Sequence, residues 1–222
     1  IAPWLRDSDE AMRAVAVEAV GKLGGPGAPS LAVPLFGDPA PRVRAEAAFA
    51  CFRWRQVLRM QGKTGDLPAL PTAALEGLLR LTADADPEVR WRAVYAFARI
   101  PEWRAVSAIA GRLADVHPYA RMFAVRALGV AKANGSAPAI AALTADPEAC
   151  VRVEAVLALV GLGRGDLLPA TLTRDPSYHV RVALAGAGRA DLLDALDQDA
   201  SASVRAAALQ ARAKAAGAGA FK

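Results

Sequence analysis

The chain has 222 residues, of which 54% are hydrophobic and 6% aromatic, and its net charge is +5. Its uncharged stretches are shorter than the roughly 18 residues that a membrane-spanning helix needs. Its two cysteines and two histidines show no zinc-binding spacing. Composition therefore favours a protein of closely packed helices and argues against a membrane-spanning or zinc-binding one.

Seven copies of one short phrase run along the chain. In each copy an Asp is followed five positions later by an apolar residue and then at once by an Arg, and an Ala stands seven positions after the apolar residue. Such self-similarity, with a period of about 31 residues, predicts stacked helical repeats. The copies are Asp7/Met12-Arg13, Asp38/Val43-Arg44, Asp84/Val89-Arg90, Asp115/Ala120-Arg121, Asp146/Val151-Arg152, Asp175/Val180-Arg181 and Asp199/Val204-Arg205.

Each repeat is predicted to hold two helices: helix A before the Asp and helix B after it. Helix B carries the phrase and continues for three to four turns, as in Val89–Ile100. Asp and Pro mark the turn between them, because an Asp side chain accepts hydrogen bonds from free amides and Pro lacks the amide hydrogen. The predicted helices A are Pro29–Gly37, Thr72–Ala83, Arg104–Ala114, Ala137–Ala145, Asp166–Arg174 and Asp191–Gln198.

One face of helix B consists of small residues. Counted from the apolar residue of the phrase, positions 0, +4 and +7 share a face of a helix, and nearly all are Val or Ala. This face is predicted to pack closely against helix A. The Arg at +1 lies at its edge, where we expect it to pair with an Asp of its own or an adjacent repeat and to form a ladder along the stack.

The best copy runs from Asp84 to Ala96 and reads Asp-Ala-Asp-Pro-Glu-Val-Arg-Trp-Arg-Ala-Val-Tyr-Ala. It resembles the HEAT-repeat consensus of the short bacterial type, which is also found in phycobilin lyases. The resemblance implies an all-α fold, a right-handed α-solenoid of about seven two-helix repeats, with helices B on the concave side. It also implies a protein-interaction scaffold, and no chemistry.

Positions +2, +6 and +9 of helix B lie opposite the small face and are predicted to look onto the concave surface. Solvated positions are usually Glu, Lys or Gln, whereas the central repeats carry apolar and aromatic residues bordered by an Arg. This predicted stripe favours a protein or peptide partner over a structurally covered face. Its residues are Phe49, Trp91, Tyr95, Met122, Arg126, Val153 and Leu157.

The second repeat contains an insertion at residues 53–71, about 15 residues beyond the usual repeat length. Its first part is predicted to extend helix B for about two turns until Gly62 and Gly65. This extension holds the densest basic and aromatic cluster of the chain, Arg53, Trp54, Arg55, Arg59 and Lys63. The cluster suggests an anionic-ligand or nucleic-acid contact. The alternative is a solvated extension with Trp54 packed on a neighbour.

The last two repeats are compressed to spacings of 29 and 24 residues, and Ala185-Gly186-Ala187-Gly188 closes one helix B. We expect this end to be looser, because glycine weakens a helix, and the Ala/Gly-rich tail Ala215–Lys222 to fray or to begin a linker. The chain starts at Ile1 and reads as one repeat array over residues 1–222. Both ends lead us to expect a piece of a longer protein.

No catalytic constellation, metal site or cofactor motif is predicted, because no nucleophile has a paired base and no phosphate-binding glycine loop is present. The leading hypothesis is a non-catalytic interaction scaffold. A nucleic-acid-binding protein similar to HEAT-like DNA glycosylases for alkylated bases is a second, although Glu18, Glu46 and Glu154 interrupt a basic groove. A third is the accessory segment of a larger enzyme, such as a phycobilin lyase or a cyclophilin-type prolyl isomerase fusion.

Overall fold

The structure is a computed structural model that describes residues 1–62 and 68–219. The described residues form α-helices and short 3-10 helices, and no strand occurs among them. The α-helices are α1 (Glu10–Leu23), α2 (Ala28–Ala32), α3 (Pro41–Met60), α4 (Thr72–Leu81), α5 (Pro87–Arg99), α6 (Val106–Ala110), α7 (Pro118–Val130), α8 (Ala137–Ala142), α9 (Ala149–Gly161), α10 (Tyr178–Ala185), α11 (Ala190–Leu196) and α12 (Ala202–Gly219).

The chain divides into two compact units, the first ending at Ala127 and the second beginning at Leu128. In the first unit α1, α3 and α5 are helices B, and α3 packs on both α1 and α5. In the second unit α9, α10 and α12 are helices B, and α10 packs on both α9 and α12. The predicted alternation of helices A and B is therefore confirmed within each unit.

Helices A are shorter than helices B, and 3-10 turns complete several of them. The predicted helix Pro29–Gly37 is α2 followed by a 3-10 helix, Val33–Gly37. The prediction of one helix over Asp166–Arg174 is wrong, since this segment holds two 3-10 helices, Gly165–Leu167 and Ala170–Arg174. Pro169 separates them, because the residue before a proline is driven to extended backbone, and Leu168 has φ −80° and ψ 118°.

The Asp of each phrase shapes the turn before helix B. In the turn before α3, one carboxylate oxygen of Asp38 accepts a hydrogen bond from the amide of Ala40 at 2.9 Å. Ala40 is the residue that precedes the first turn of α3. The same bond from the residue two positions on recurs at Asp7, Asp84, Asp115, Asp146, Asp175 and Asp199. The Asp of the phrase thus fixes the approach to helix B. The predicted capping of the first helical amides is confirmed at Asp86, whose carboxylate accepts hydrogen bonds from the amides of Glu88 and Val89.

The small face of helix B is buried. Val43, Ala47 and Ala50 of α3 are fully inaccessible to solvent. Ala50 also lies against the preceding helix B, because a Cβ placed on Gly21 of α1 would come within 2.7 Å of the Ala50 Cα. A glycine on α1 therefore allows the backbones of α1 and α3 to approach closely, so the small face serves neighbouring helices B as well as helix A.

Ion pairs join successive repeats within each unit, and we call them the rungs. In each rung Nε and Nη2 of the phrase Arg donate to the two carboxylate oxygens of the next repeat's Asp, at 2.6–2.8 Å and 2.8–3.0 Å. The Arg side chains are 11–16% exposed. The rungs are Arg13–Asp38, Arg44–Asp84 and Arg90–Asp115 in the first unit, and Arg152–Asp175 and Arg181–Asp199 in the second.

The same Arg also closes the turn of its own repeat. Nη1 of Arg90 donates to the carbonyl oxygens of Asp84 and Ala85, each at 3.0 Å. One guanidinium thus binds two carbonyls of its own turn and the carboxylate of the next repeat. The predicted ladder is confirmed in its geometry, with the partner always in the adjacent repeat. Bidentate, partly buried pairs of this kind are stronger than ordinary surface ion pairs.

The C-terminal helices differ in length. α10 ends at Ala185, as its Ala-Gly-Ala-Gly close predicts, and Gly188 adopts a left-handed backbone with φ 65°. α12, however, continues to Gly219, so the expected fraying or linker from Ala215 is not found as far as this residue. Alanine has the highest helix propensity of all residues, which outweighs Gly217 within this stretch, and the second glycine, Gly219, is the last residue of the helix.

Candidate partner-binding surface

Six aromatic side chains of the first unit form one cluster, which we call the aromatic cluster. Its members are Phe49 and Phe52 of α3, Trp91 and Tyr95 of α5, and Tyr119 and Phe123 of α7. Ring centroids of Phe49 and Tyr95 lie 5.3 Å apart, and those of Tyr95 and Phe123 lie 4.7 Å apart. Neighbouring helices B thus bring residues that are distant in sequence into one patch.

The aromatic cluster is only partly buried. Phe49, Phe52, Trp91 and Tyr95 are half-buried, and Tyr119 is 48% exposed. The small residues on the opposite side of the same helices are buried, and Phe123 is the one member of the cluster that is buried with them, at 9% exposed. A half-exposed group of large aromatic side chains on one face is typical of a protein-binding surface.

Arginines border the aromatic cluster on one side, where carboxylates hold them. Glu46 accepts hydrogen bonds from Arg53 at 2.7 Å and from Arg92 at 2.6 Å. Both guanidinium groups lie over the Phe49 ring, 5.2 and 4.8 Å from its centroid. Arg53 is also 3.8 Å from Glu18. This edge is polar and charged but close to neutral.

Arginines also border the cluster on the other side, where no carboxylate accompanies them. Arg55 and Arg59 of α3 and Arg99 of α5 surround a pocket of about 370 Å³. Phe52, Gln56 and Tyr95 complete its lining, and we call this group the basic pocket. Burial, and next the neighbouring charge of Arg59, lower the pKa of Arg55. Among the described residues no carboxylate pairs with any of these three arginines.

The residues of the predicted basic and aromatic cluster in the insertion do not stay together. Trp54 is 3% exposed and, with Leu58, lines an apolar pocket of about 600 Å³. Arg53 lies on the Glu46 side, whereas Arg55 and Arg59 lie on the basic pocket. Lys63 lies outside the described residues. The interpretation of Trp54 as a stacking platform for a ligand is therefore replaced by packing against the protein.

The other predicted stripe residues lie on helices B as expected. Met122 and Arg126 of α7 are half-buried, and the guanidinium of Arg126 lies 5.4 Å from the centroid of the Phe123 ring. In the second unit Val153 of α9 is half-buried and Leu157 is 48% exposed. These aliphatic residues form a smaller exposed patch of their own unit.

Sequence reasoning missed four residues of this surface: Phe52, Arg99, Tyr119 and Phe123. Phe52 stands at position +9, on the same face as the predicted stripe, so the helical period could have found it. Tyr119 stands at −1, about 20° from position +6, so the helical period could have found it as well, whereas Phe123 stands at +3, beside the small face. Their contact with Trp91 and Tyr95 depends on how α7 is set against α5.

Membrane-spanning helices and metal-binding groups are both absent from the described residues. Within residues 1–62 and 68–219 no helix is both long and apolar enough to cross a membrane. The same residues contain no group of His, Cys, Asp and Glu side chains placed to hold a metal ion.

The family model for HEAT repeats matches residues 75–160 of the chain. The matched segment consists of HEAT repeats. This result confirms the resemblance found at the repeated phrase, because the segment contains the copies that begin at Asp84, Asp115 and Asp146. No curated protein matches the chain in sequence.

Solved repeat structures share the fold over most of the chain. A chain from the complex of CpcE and CpcF of phycocyanin lyase from Nostoc sp. is 20% identical with a TM-score of 0.62, covering 95% of this chain and 84% of that chain. A designed armadillo repeat protein in complex with the peptide (KR)4 is 22% identical with a TM-score of 0.58, covering 95% and 97%. The Escherichia coli protein YibA is 17% identical with a TM-score of 0.55, covering 95% and 90%.

At these identities the likeness establishes the fold. The chain has the α-solenoid fold of HEAT and armadillo repeat proteins, as the sequence predicts. This fold is typical of scaffolds that bind other molecules through repeated helices. The fold alone names no partner.

Proposed function

We propose that this HEAT-repeat chain is a non-catalytic interaction scaffold that binds a protein or peptide partner on its helix-B face. The observation that carries the proposal is the aromatic cluster, in which Phe49, Phe52, Trp91 and Tyr95 are half-buried and Tyr119 is 48% exposed, whereas Phe123 is buried. Tryptophan and tyrosine surrounded by arginine are the residues that contribute most to binding energy in protein interfaces. Trp91 and Tyr95 are therefore the expected centre of the contact.

The charges around the aromatic cluster favour a neutral or acidic partner segment. The Glu46 side is already neutralised by Arg53 and Arg92, and the opposite side carries the unpaired arginines of the basic pocket. The designed armadillo protein of similar fold was solved with a Lys/Arg peptide, (KR)4. The arginines at this surface predict the reverse charge preference for this chain.

The proposal extends to Met122 and Arg126 on α7 and to Val153 and Leu157 on α9. Each stands on a helix B at the position expected of a partner contact. Their smaller or aliphatic side chains are expected to contribute less than Trp91 and Tyr95, since energy in interfaces is concentrated in a few aromatic anchors. Substituting Leu157 by Ser is expected to weaken binding less than substituting Trp91.

The test begins with peptides selected from a random library on the wild-type chain. Their affinity is then measured for Trp91→Ala/Tyr95→Ala and for Trp103→Ala, a matched control because Trp103 is 79% exposed and belongs to no aromatic contact of the cluster. Loss of two anchors is expected to weaken binding at least about tenfold. Thermal unfolding must show that both variants are folded at the assay temperature.

The same variants test a natural partner. A protein that wild type and Trp103→Ala both retain, and that the double variant releases, would support the helix-B face as its site. Equal affinity of all three chains for every selected peptide would overturn the proposal.

Nucleic acid is the second candidate ligand, and the observation in its favour is that Arg55, Arg59 and Arg99 have no carboxylate partner in the part of the chain that the structure describes. Binding to random duplex DNA that falls steeply with salt, with a slope reduced in Arg59→Gln, would support it. Against it, Glu18 and Glu46 lie beside Arg53 on the other edge of the cluster. The scaffold proposal is therefore preferred.

A further inference from the structure

The basic pocket differs from the ion-paired arginine groups of the first unit. The phrase arginines are bound by aspartates, and Arg53, Arg92 and Arg104 are bound by glutamates. Arg55, Arg59 and Arg99 have no such partner among the described residues. Arg55 and Arg59 stand four positions apart on α3, a spacing that places like charges beside each other on a helix at a cost in stability.

Two observations concern the environment of these arginines. Arg99 lies 5.9 Å from the centroid of the Phe52 ring and 5.5 Å from that of Tyr95, so aromatic faces rather than a carboxylate orient it. The Nε atom of Arg55 is buried and has no hydrogen-bond acceptor. A buried donor without an acceptor is rare in folded proteins, and an anion in the pocket would supply one.

We infer that the basic pocket is a binding site for a phosphate monoester group. Three guanidinium groups from two helices converge on one small volume, and planar guanidinium donors pair with phosphate oxygens in a bidentate manner. Gln56 adds an amide donor at the rim. A dianionic terminal phosphate matches this concentration of charge better than the singly charged, evenly spaced diesters of a nucleic acid.

The inference does not depend on the proposed partner-binding function, because the pocket requires only its own six residues. The two surfaces meet at Phe52 and Tyr95, which belong to both. A phosphate on a partner segment and a phosphate on a free small molecule would present the same chemistry to the three arginines. The experiment therefore includes both.

The direct test is a titration of the wild-type chain with phenyl phosphate at constant ionic strength, followed through the side-chain Nε–Hε signals of arginine in NMR spectra. Signals of Arg55, Arg59 and Arg99, assigned from single substitutions, are expected to move with saturation. Dimethyl phosphate and chloride are the comparison anions, and both are expected to bind at least about tenfold more weakly.

The matched variants are Arg59→Gln/Arg99→Gln for the site and Arg80→Gln as the control. Arg80 is exposed on α4 and has no ion pair with the described residues, so its substitution removes a charge elsewhere in the same unit. The site variant is expected to lose about tenfold or more in affinity for phenyl phosphate, and Arg80→Gln less than about twofold. Thermal unfolding confirms that each variant is folded.

The outcomes are separable. No saturation with phenyl phosphate, equal affinity for dimethyl phosphate or chloride, or equal affinity of the site variant and Arg80→Gln would each overturn the inference. A phosphotyrosine peptide that binds no more tightly than phenyl phosphate indicates a free small molecule as the source. A peptide that binds more tightly, and loses this gain in Trp91→Ala, indicates a phosphate carried by the partner.

Discussion

Arginine has opposite environments in two regions of the first unit. In the rung from Arg90 to Asp115, the guanidinium lies 2.8 Å from a carboxylate that is 2% exposed, and it also closes its own turn. In the basic pocket, Arg55, Arg59 and Arg99 lie around one cavity and have no carboxylate partner within residues 1–62 and 68–219. The first arrangement neutralises the guanidinium, whereas the second leaves charge unpaired among the described residues, as expected of the phosphate site proposed above. The arginine content of the chain therefore combines two kinds of arginine, those paired in rungs and those of the basic pocket, and composition alone does not distinguish them.

Acid should remove all rungs together and has the largest expected effect. The hydrogen bond from Arg152 lowers the pKa of Asp175, and that from Arg181 lowers the pKa of Asp199, relative to the usual value of 3.8. Burial alone would raise the pKa of Asp38, but the bonds from Arg13 and from the Ala40 amide outweigh it and lower the pKa.

The sign of the effect follows from these directions. Below the usual aspartate pKa the unfolded chain binds more protons than the folded chain, so the free energy of unfolding decreases as the pH falls through this range. The stabilisation should be complete above about pH 5 and disappear progressively at lower pH. Urea unfolding measured from neutral pH to about pH 2.5 checks this. A free energy that stays constant over the range would contradict it.

Breaking one rung should have the next largest effect. Asp115→Ala leaves the partly buried guanidinium of Arg90 without its carboxylate and the amide of His117 without an acceptor. We expect the free energy of unfolding to fall by about 3 kcal/mol. The control is Asp166→Ala, whose side chain is 60% exposed although it pairs with Arg164, and which should leave the unfolding midpoint unchanged. Equal midpoints for both variants would show that the rungs are as weak as surface pairs.

Overfilling the small face beside a rung should have a smaller effect. Ala96 of α5 is fully buried, so Ala96→Leu forces a larger side chain between closely packed helices. We expect a loss of about 1–3 kcal/mol in the free energy of unfolding. The exposed Ala73 of α4 provides the control, because Ala73→Leu adds the same atoms in solvent. An Ala96→Leu chain as stable as wild type would show that the packing around Ala96 accommodates a larger side chain without strain.

Removing an arginine from the basic pocket should have the smallest effect, and with the opposite sign. Arg55→Gln relieves the burial of a charge and its repulsion by Arg59, and it breaks no ion pair among the described residues. We expect the free energy of unfolding to stay constant or rise, by about 0–1 kcal/mol. Arg90→Gln, measured in parallel by urea unfolding, should decrease it. A loss of stability in Arg55→Gln comparable to that in Arg90→Gln would show that both regions use arginine structurally.

The sequence predicts those parts of the molecule that depend on the period of a single helix. The burial of Val43, Ala47 and Ala50 follows from their spacing. The burial of Trp54 follows from the same rule, since it stands at position +11, on the same face of the helix. Its basic neighbours lie on other faces and do not change its burial. Arg53 and Arg55 then fall on opposite sides of the helix, which is why the predicted cluster separates.

The parts that the sequence does not predict depend on the register between helices. Arg99 lines the same pocket as Arg55 and Arg59 because of the register in which α5 packs on α3. No spacing along the chain encodes this register. The contact of Phe123 with Tyr95 depends in the same way on α7. Unpaired charge is also invisible in a sequence, because it results from which carboxylates lie nearby in space.

The rungs also bear on how such a protein can change during evolution. Arg44 and Asp84 are 40 positions apart, with the insertion between them, whereas Arg181 and Asp199 are 18 apart, yet the guanidinium–carboxylate distances are 2.7 and 2.6 Å. The geometry of a rung therefore does not depend on the number of residues between its Arg and its Asp. Loops can lengthen, shorten and acquire new recognition elements while the stacking of the modules stays the same. Sequence changes can therefore accumulate in the loops between repeats, because the rungs do not depend on loop length.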